Sequence, residues 1–194
     1  MKAAPQNTTS YDRASGQGTA AHERGDPAAP VRCLLTAMQP DALARLDTAG
    51  LMDLVAEAER VECAIQAASY RVLAALPQHP AFRRGPIDDA AIAVARALGI
   101  SEHIAAAQIA EARAITRLFP ETLDRLASGD VQVAQVRALV EATRALDDQT
   151  ARTVQARVLH LMPDQNLAAT RRALSRAVLK ADPDGVQRRH PTHP

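Results

Sequence analysis

Apolar positions recur along most of this chain at spacings of three and four, the period of an amphipathic helix with one face against a core. Between Ala42 and Leu76 the period runs through Leu43, Leu46, Leu51, Leu54, Val55, Ala58, Val61, Ile65, Ala68, Val72 and Leu76, with one gap around Asp47 to Gly50. That pattern predicts a short helix capped by Asp41 after Pro40, a break at Thr48-Ala49-Gly50, and a long helix over Leu51–Leu76. Upstream, Val31–Met38 reads as a short helix or a docked length of chain. Downstream, Pro77-Gln78-His79-Pro80 ends the long helix, and 81–86 reads as loop.

The stretch from Val94 to Ala145 holds the centre of the pattern: three helices separated by Gly99, Pro120 and Gly129. Asp88-Asp89 caps the helix Ala90–Leu98 that leads into it. Gly99 suits the left-handed turn past a helix end, and Ser101 caps the next helix with its hydroxyl. Pro120 stops that helix or opens the following one at its first turn. Ser128-Gly129-Asp130 repeats the stop and restart, with Asp130 as the capping residue. Beyond Leu146, Asp147-Asp148 starts a helix through Val154, Val158, Leu159 and Leu161, which Pro163-Asp164 breaks. A last helix carries Leu167, Leu174, Val178 and Leu179 and stops at Asp182-Pro183-Asp184-Gly185. The expected architecture is all-α: a multi-helix, bundle-like domain over 41–181, a disordered N-terminal tail over 1–40, and a short basic, proline-rich C-terminal tail over 182–194. Residues 1–30 hold no Leu, Ile, Val or Phe, too little apolar surface to offset the entropy of ordering them.

Composition sharpens this picture. Apolar residues make up 47% of the 194 residues, but aromatics only 2%, with no Trp. The core must be Leu, Ile, Val and Ala, which suits closely packed helices better than a sandwich or barrel. Net charge is +1, so there is no global signature of polyanion binding. The charge is segregated, however. Residues 41–76 carry six acids and three bases, and 152–194 carry eight bases and three acids, so the first long helix and the last could pair, at about 0–1 kcal/mol for each exposed ion pair. Cys33 and Cys63 lack CxxC spacing and read as reduced thiols, Cys63 buried on its helix. No apolar run approaches a membrane span and no apolar signal core opens the chain. The expected location is the cytoplasm, with no membrane partner.

Two stretches carry candidate chemistry. Ala95, Leu98, Gly99, Ile100 and Ser101 match the A-x-x-L-G-I-S core of a helix-turn-helix, in which a small residue lets two helices approach, Gly turns and Ser caps the reading helix. Against that, Glu102–Glu111 shows two acids and no Arg or Lys, whereas a groove-reading helix presents donors. A helical hairpin that merely packs is the alternative. The second stretch is the basic end: Arg171, Arg172, Arg176, Lys180, Arg188 and Arg189. Arg172, Arg176 and Lys180 fall on one stripe, suited to non-specific, salt-sensitive phosphate contact or simply to a solvated face. His190 and His193 stand close together without a companion Cys or carboxylate, so no metal site is expected. Asp88-Asp89 and Asp147-Asp148 sit at helix starts, where capping explains them. No phosphate-binding, hydrolase-elbow or zincin motif is present, and no cofactor is expected.

The segments LVAEAERVECAIQAASYRVLAAL, ALGISEHIAAAQIAEARAITRLFPETLDRLASGDVQVAQVRALVEAT and LSRAVLKADPDGVQRR, in this order, resemble the 13E12 repeat family of actinobacteria, also called domain of unknown function 222. The likeness covers Leu51–Arg189, and its most specific parts are Leu98-Gly99-Ile100-Ser101, Phe119-Pro120-Glu121-Thr122, Ser128-Gly129-Asp130-Val131 and Asp182-Pro183-Asp184-Gly185. The resemblance implies a helical domain that normally precedes a metal-dependent HNH endonuclease module. After Arg189 only His-Pro-Thr-His-Pro remains, so no catalytic residue carries over. The expectation is a truncated, non-catalytic copy that docks or associates with DNA through its basic C-terminal helix. Self-association through an exposed apolar helical face, or a helix-turn-helix regulator, are the rival readings.

Overall fold

The structure, a computed structural model, describes residues 29–82 and 88–183. Among the described residues the elements are all helical: α1 (Ala29–Ala37), α2 (Pro40–Leu43), α3 (Thr48–Ala75), α4 (Asp88–Leu98), α5 (Glu102–Leu118), α6 (Pro120–Ser128), α7 (Val133–Thr143), α8 (Asp148–Val158) and α9 (Leu167–Ala181), with single 3₁₀ turns at Leu76–Gln78 and Met162–Asp164. The all-α expectation holds. The loop read over 81–86 and the tails 1–28 and 184–194 lie mostly or wholly outside the described residues. Where the tail read over 1–40 is described, it is helical, because α1 finds a surface to lie on against α3.

Helix boundaries differ from the expected ones where a better cap is available. The long helix starts at Thr48, not Leu51: Asp47 accepts a hydrogen bond from the Gly50 amide at 2.8 Å, so Gly50 lies in the first turn instead of forming the break. At α2, Gln39 occupies the cap position and Pro40 the first helical position, which moves Asp41 into the first turn. At α7, Gln132 and not Asp130 is the cap. The Asp130 carboxylate instead accepts from the Ser128 hydroxyl at 2.8 Å. Gln135 returns its Oε1 to the Gln132 amide at 2.9 Å. Val131 and Val136, on either side of that cap, are both fully buried and staple the entry of the helix.

The punctuation itself stands as expected. Ser101 caps α5, accepting from the Ile104 amide at 3.3 Å, Pro120 opens α6 at its first position, and Asp147 caps α8 through the Gln149 and Thr150 amides at 3.0 and 2.9 Å. Gly129 has φ +79°, and the Asp130 and Gly129 amides close back on the Arg125 and Leu126 carbonyls, the hydrogen-bond pattern of a Schellman stop. A Cβ on Gly129 would lie 2.8 Å from Arg60 Cγ. Gly129→Ala is therefore expected to destabilise the protein by about 1–2 kcal/mol through backbone strain plus displacement of Arg60, lowering Tm by about 2–8 °C. Gly99→Ala, at φ +68° with nothing within 4 Å of its Cβ, carries the strain alone and gives the smaller drop in the same melting experiment.

Two apolar clusters form the interior. The larger joins α3, α5, α6, α7, α8 and α9 around Phe119, Ile115, Leu126, Leu139, Val154 and Leu174. The smaller joins α4 to the start of α5 through Ala90, Ala91, Val94, Ala95, Ala105 and Ile109. Alanine at the helix crossings lets backbones approach closely, so a core nearly free of aromatics still fills. On α3 the buried stripe is Cys63, Ala67, Tyr70 and Ala74, and α5 and α6 cover it. α9 packs on α7 and α8, and among the described residues no ion pair joins acidic α3 to basic α9. Exposed ion pairs instead tie Arg71 of α3 to Asp124 of α6, at 2.9 Å, and Arg117 of α5 to Asp148 of α8.

Candidate nucleic-acid interface

α9 begins at Asn166, whose side chain accepts from the Ala169 amide at 2.9 Å. Thr170, Ala173, Leu174, Ala177 and Val178 face inward. That leaves Arg171, Arg172, Arg176 and Lys180 exposed on the opposite side. At about 100° per residue, steps of four advance the side chain only about 40°, so Arg172, Arg176 and Lys180 run as one outward stripe. Arg171 points to the α7 side. There it lines a groove of about 920 Å³ between α7 and α9, whose floor includes Ala134, Ala138, Leu174 and Val178 and whose rim includes Arg137 and Glu141. No hydrogen bond or ion pair engages any of the four α9 cations among the described residues. Arg188 and Arg189 lie outside the described residues.

Arg137 is a cation that sequence reading passed over, since bases and acids balance over 96–144. It stands near Tyr70 and counters part of the rise in its pKa, and the Tyr70 hydroxyl donates to Glu111 Oε1 at 3.0 Å. Burial pushes the Tyr70 phenol up, and the Glu111 carboxylate beside it adds to the shift. The three residues join α3, α5 and α7, and Arg137 lines the groove together with Arg171.

The α4–α5 pair has the bend of a helix-turn-helix, 109° between its axes, with Ala95 buried at the crossing and Gly99 in the turn. Its outward side lacks the donors that reading bases needs. Glu102, His103, Ile104, Ala106, Ala107 and Ala110 are exposed there. The first base on α5 is Arg113, and Arg117 is committed to Asp148. The start of α5 therefore presents apolar and acidic surface, whereas α9 carries four exposed cations, Arg171, Arg172, Arg176 and Lys180.

The remaining candidates resolve simply. Asp147 is held below the usual carboxylate range by the Thr150 hydroxyl and amide, and Asp148 by the Arg117 guanidinium, as capping and pairing groups should be. The Asp88 side chain, His190 and His193 lie outside the described residues. Among the described residues, no three of His, Cys, Asp and Glu converge to hold a metal ion. Cys63 is buried, with its thiol pushed up by that burial, and Cys33 is exposed; both are free. No single described helix is long and apolar enough to cross a membrane. No curated protein and no solved structure is detectably similar to the chain. The family model described as Domain of unknown function (DUF222) matches residues 52–193, from the first turns of α3 past the end of α9, and the chain belongs to the DUF222 family.

Proposed function

We propose that this DUF222 domain is a non-catalytic, DNA-associated docking module, the helical part of the HNH-endonuclease-type repeat proteins that its sequence resembles, and that α9 is the surface that meets the phosphate backbone. The observation that carries this reading is the set of four exposed cations on α9, Arg171, Arg172, Arg176 and Lys180, which have no ion-pair partner among the described residues, on a chain whose net charge is only +1. Cations without a protein partner lose little by exchanging water for phosphate, and each contact releases a condensed counterion. Because the stripe has no aromatic or amide groups aimed at base edges, affinity is electrostatic and independent of sequence.

Fluorescence anisotropy with random duplex DNA tests this. Four phosphate contacts give a log–log salt slope of about −3.6, so affinity falls on the order of 100-fold between 50 and 200 mM salt. Arg172→Glu/Arg176→Glu is expected to cut affinity at 50 mM salt by more than about 10-fold and to lower the slope by about 2, with an unchanged far-UV spectrum. Supercoiled plasmid held with the protein and magnesium or manganese stays intact. Unchanged affinity in the double variant removes α9 from the interface, and absence of binding at 50 mM salt removes the reading altogether.

The 109° bend of α4 on α5 favours a second reading, a helix-turn-helix regulator. It predicts sequence-dependent affinity that Arg172→Glu/Arg176→Glu leaves unchanged.

A further inference from the structure

The geometry points to the groove between α7 and α9 as a docking site for an amphipathic helix of another protein. That helix carries an acidic and a basic residue four positions apart along the edge of its apolar face. The groove lies on the side of α9 that meets α7, away from the outward stripe of Arg172, Arg176 and Lys180. α7 and α9 run parallel and in step. Gln135 Nε2 lies 2.9 Å from Thr170 Oγ1, which sets the starts of the two helices side by side. From there both line the same groove over equal lengths, from Ala134 to Ala142 on one wall and from Arg171 to Leu179 on the other. Eight steps of about 1.5 Å make the trough about 12 Å long, a little over two helical turns.

Steps of four return to nearly the same side of a helix, so the lining falls into levels. Arg137 and Arg171 stand at one level, on opposite walls. One turn on, Glu141 and Ser175 form the next. Ala134, Ala138, Leu174 and Val178 run along the floor, and Leu179, at the far end, is 50% exposed. The trough has no roof, since Arg137, Glu141, Arg171, Ser175 and Leu179 are all exposed. A small molecule binds with most of its surface covered, which two walls and a floor do not provide. A helix lays one face into a groove and leaves the other to water.

Charge selects the kind of helix. Arg171 has no ion-pair partner among the described residues. Arg137 neighbours the Tyr70 phenol, which burial and Glu111 keep neutral, so its charge is available to a ligand. The two guanidiniums at one level are complementary to a carboxylate. Glu141, one turn along, also has no ion-pair partner among the described residues and is complementary to a cation. A helix supplies both at once, because residues four apart stand one above the other on its surface. A phosphate backbone supplies negative charge at every repeat and would set it against Glu141 and the apolar floor. The groove is therefore matched to a mixed-charge, amphipathic helix and not to nucleic acid.

The test uses a designed, end-capped helical peptide with a leucine face, one Trp on that face, and a Glu–Lys pair four positions apart along its edge. The protein has no Trp, so the peptide's emission reports binding alone. Titrated with the full chain at 150 mM salt, that emission is expected to shift to the blue and saturate below about 1 mM protein. Leu179→Asp, at a half-exposed position, is expected to weaken binding at least about 10-fold with an unchanged far-UV spectrum. Replacing the peptide's Lys with Glu weakens binding to the unaltered chain about 10-fold, and Glu141→Lys restores it. Failure to saturate overturns the inference, as does a Leu179→Asp protein that binds like the parent or a Glu141→Lys protein that restores nothing. Random duplex DNA that displaces the peptide, with Leu179→Asp losing DNA affinity in equal measure, gives the groove to the phosphate backbone and overturns it. A dimer at 100 µM that Leu179→Asp dissolves gives the groove to a second copy and overturns it likewise. Arg172→Glu/Arg176→Glu is expected to leave peptide affinity within about 2-fold of the parent, so failure here and failure of the DNA reading are told apart.

Discussion

Replacing Gln135 with leucine is expected to cost about 3 kcal/mol or more of folding free energy, although the two side chains are similar in size. Gln135 is 1% exposed. Its Nε2 lies 2.8 Å from the Met162 carbonyl, 2.8 Å from the Gln165 carbonyl and 2.9 Å from the Thr170 hydroxyl oxygen. Its Oε1 accepts from the Gln132 amide. One side chain thus caps α7, satisfies the turn between α8 and α9, and ties the first turn of α9 to α7. Leucine has neither donor nor acceptor, so carbonyls and an amide that folding has removed from water lose their partner, at about 1–3 kcal/mol for each group left orphaned. Denaturant unfolding should show a lower midpoint at unchanged m, and Tm should fall by about 6–12 °C. A loss below about 1 kcal/mol would mean that water reaches these groups and that the α7–α9 junction is looser than its geometry.

That junction also marks how far the sequence carries. Gly99, Pro120 and Gly129 were legible because each makes a demand of its own on the backbone, independent of tertiary context. Gln135 was not, because a glutamine inside an apolar helical period reads as an exposed position until the carbonyls of a distant turn are brought to it. Asp130 was the better cap by residue type, but the burial of Val131 and Val136 set the helix start two residues on, and tertiary packing outweighed local preference.

The faces of α3 were the least legible feature. Leu51, Ile65 and Val72 mark its strongest apolar period, yet the domain buries Cys63, Ala67, Tyr70 and Ala74. Small residues permit the close crossing with α5 and α6, and side-chain size alone points to the wrong side. At the candidate site, the outward stripe of Arg172, Arg176 and Lys180 follows from helical spacing. Arg137 joined the rim beside Arg171 only when α7 was laid against α9, and α3 and α9 did not pair because each had its inner face taken by other helices.

Phe119→Ala is the second substitution with a large expected effect, about 3–5 kcal/mol. Phe119 is 1% exposed and stands where α5 ends and α6 begins, its backbone turned out of the helical region at φ −128° and ψ 49°. Its amide still reaches the Ile115 carbonyl at 2.8 Å, and its own carbonyl accepts from the Leu123 amide at 3.0 Å. The backbone therefore makes the corner, and the ring fills the space behind it. In a protein with two phenylalanines and no tryptophan, few side chains are large enough to move into the void, and the surrounding alanines cannot extend to fill it. The cavity cost adds to the lost transfer energy. Phe119→Leu keeps most of the volume and is expected to cost less than about 1.5 kcal/mol. The ratio between the two, read from denaturant midpoints, separates filling of the corner from its backbone geometry: equal losses in both variants would show that the aromatic shape itself holds the corner. Because α6 carries the corner onto α3 and hands the chain on to α7, any DNA binding by the Phe119→Ala protein should disappear in step with its unfolding transition. Loss at temperatures where the helices are still folded would show that the corner, and not the α9 cations alone, shapes the surface that meets DNA.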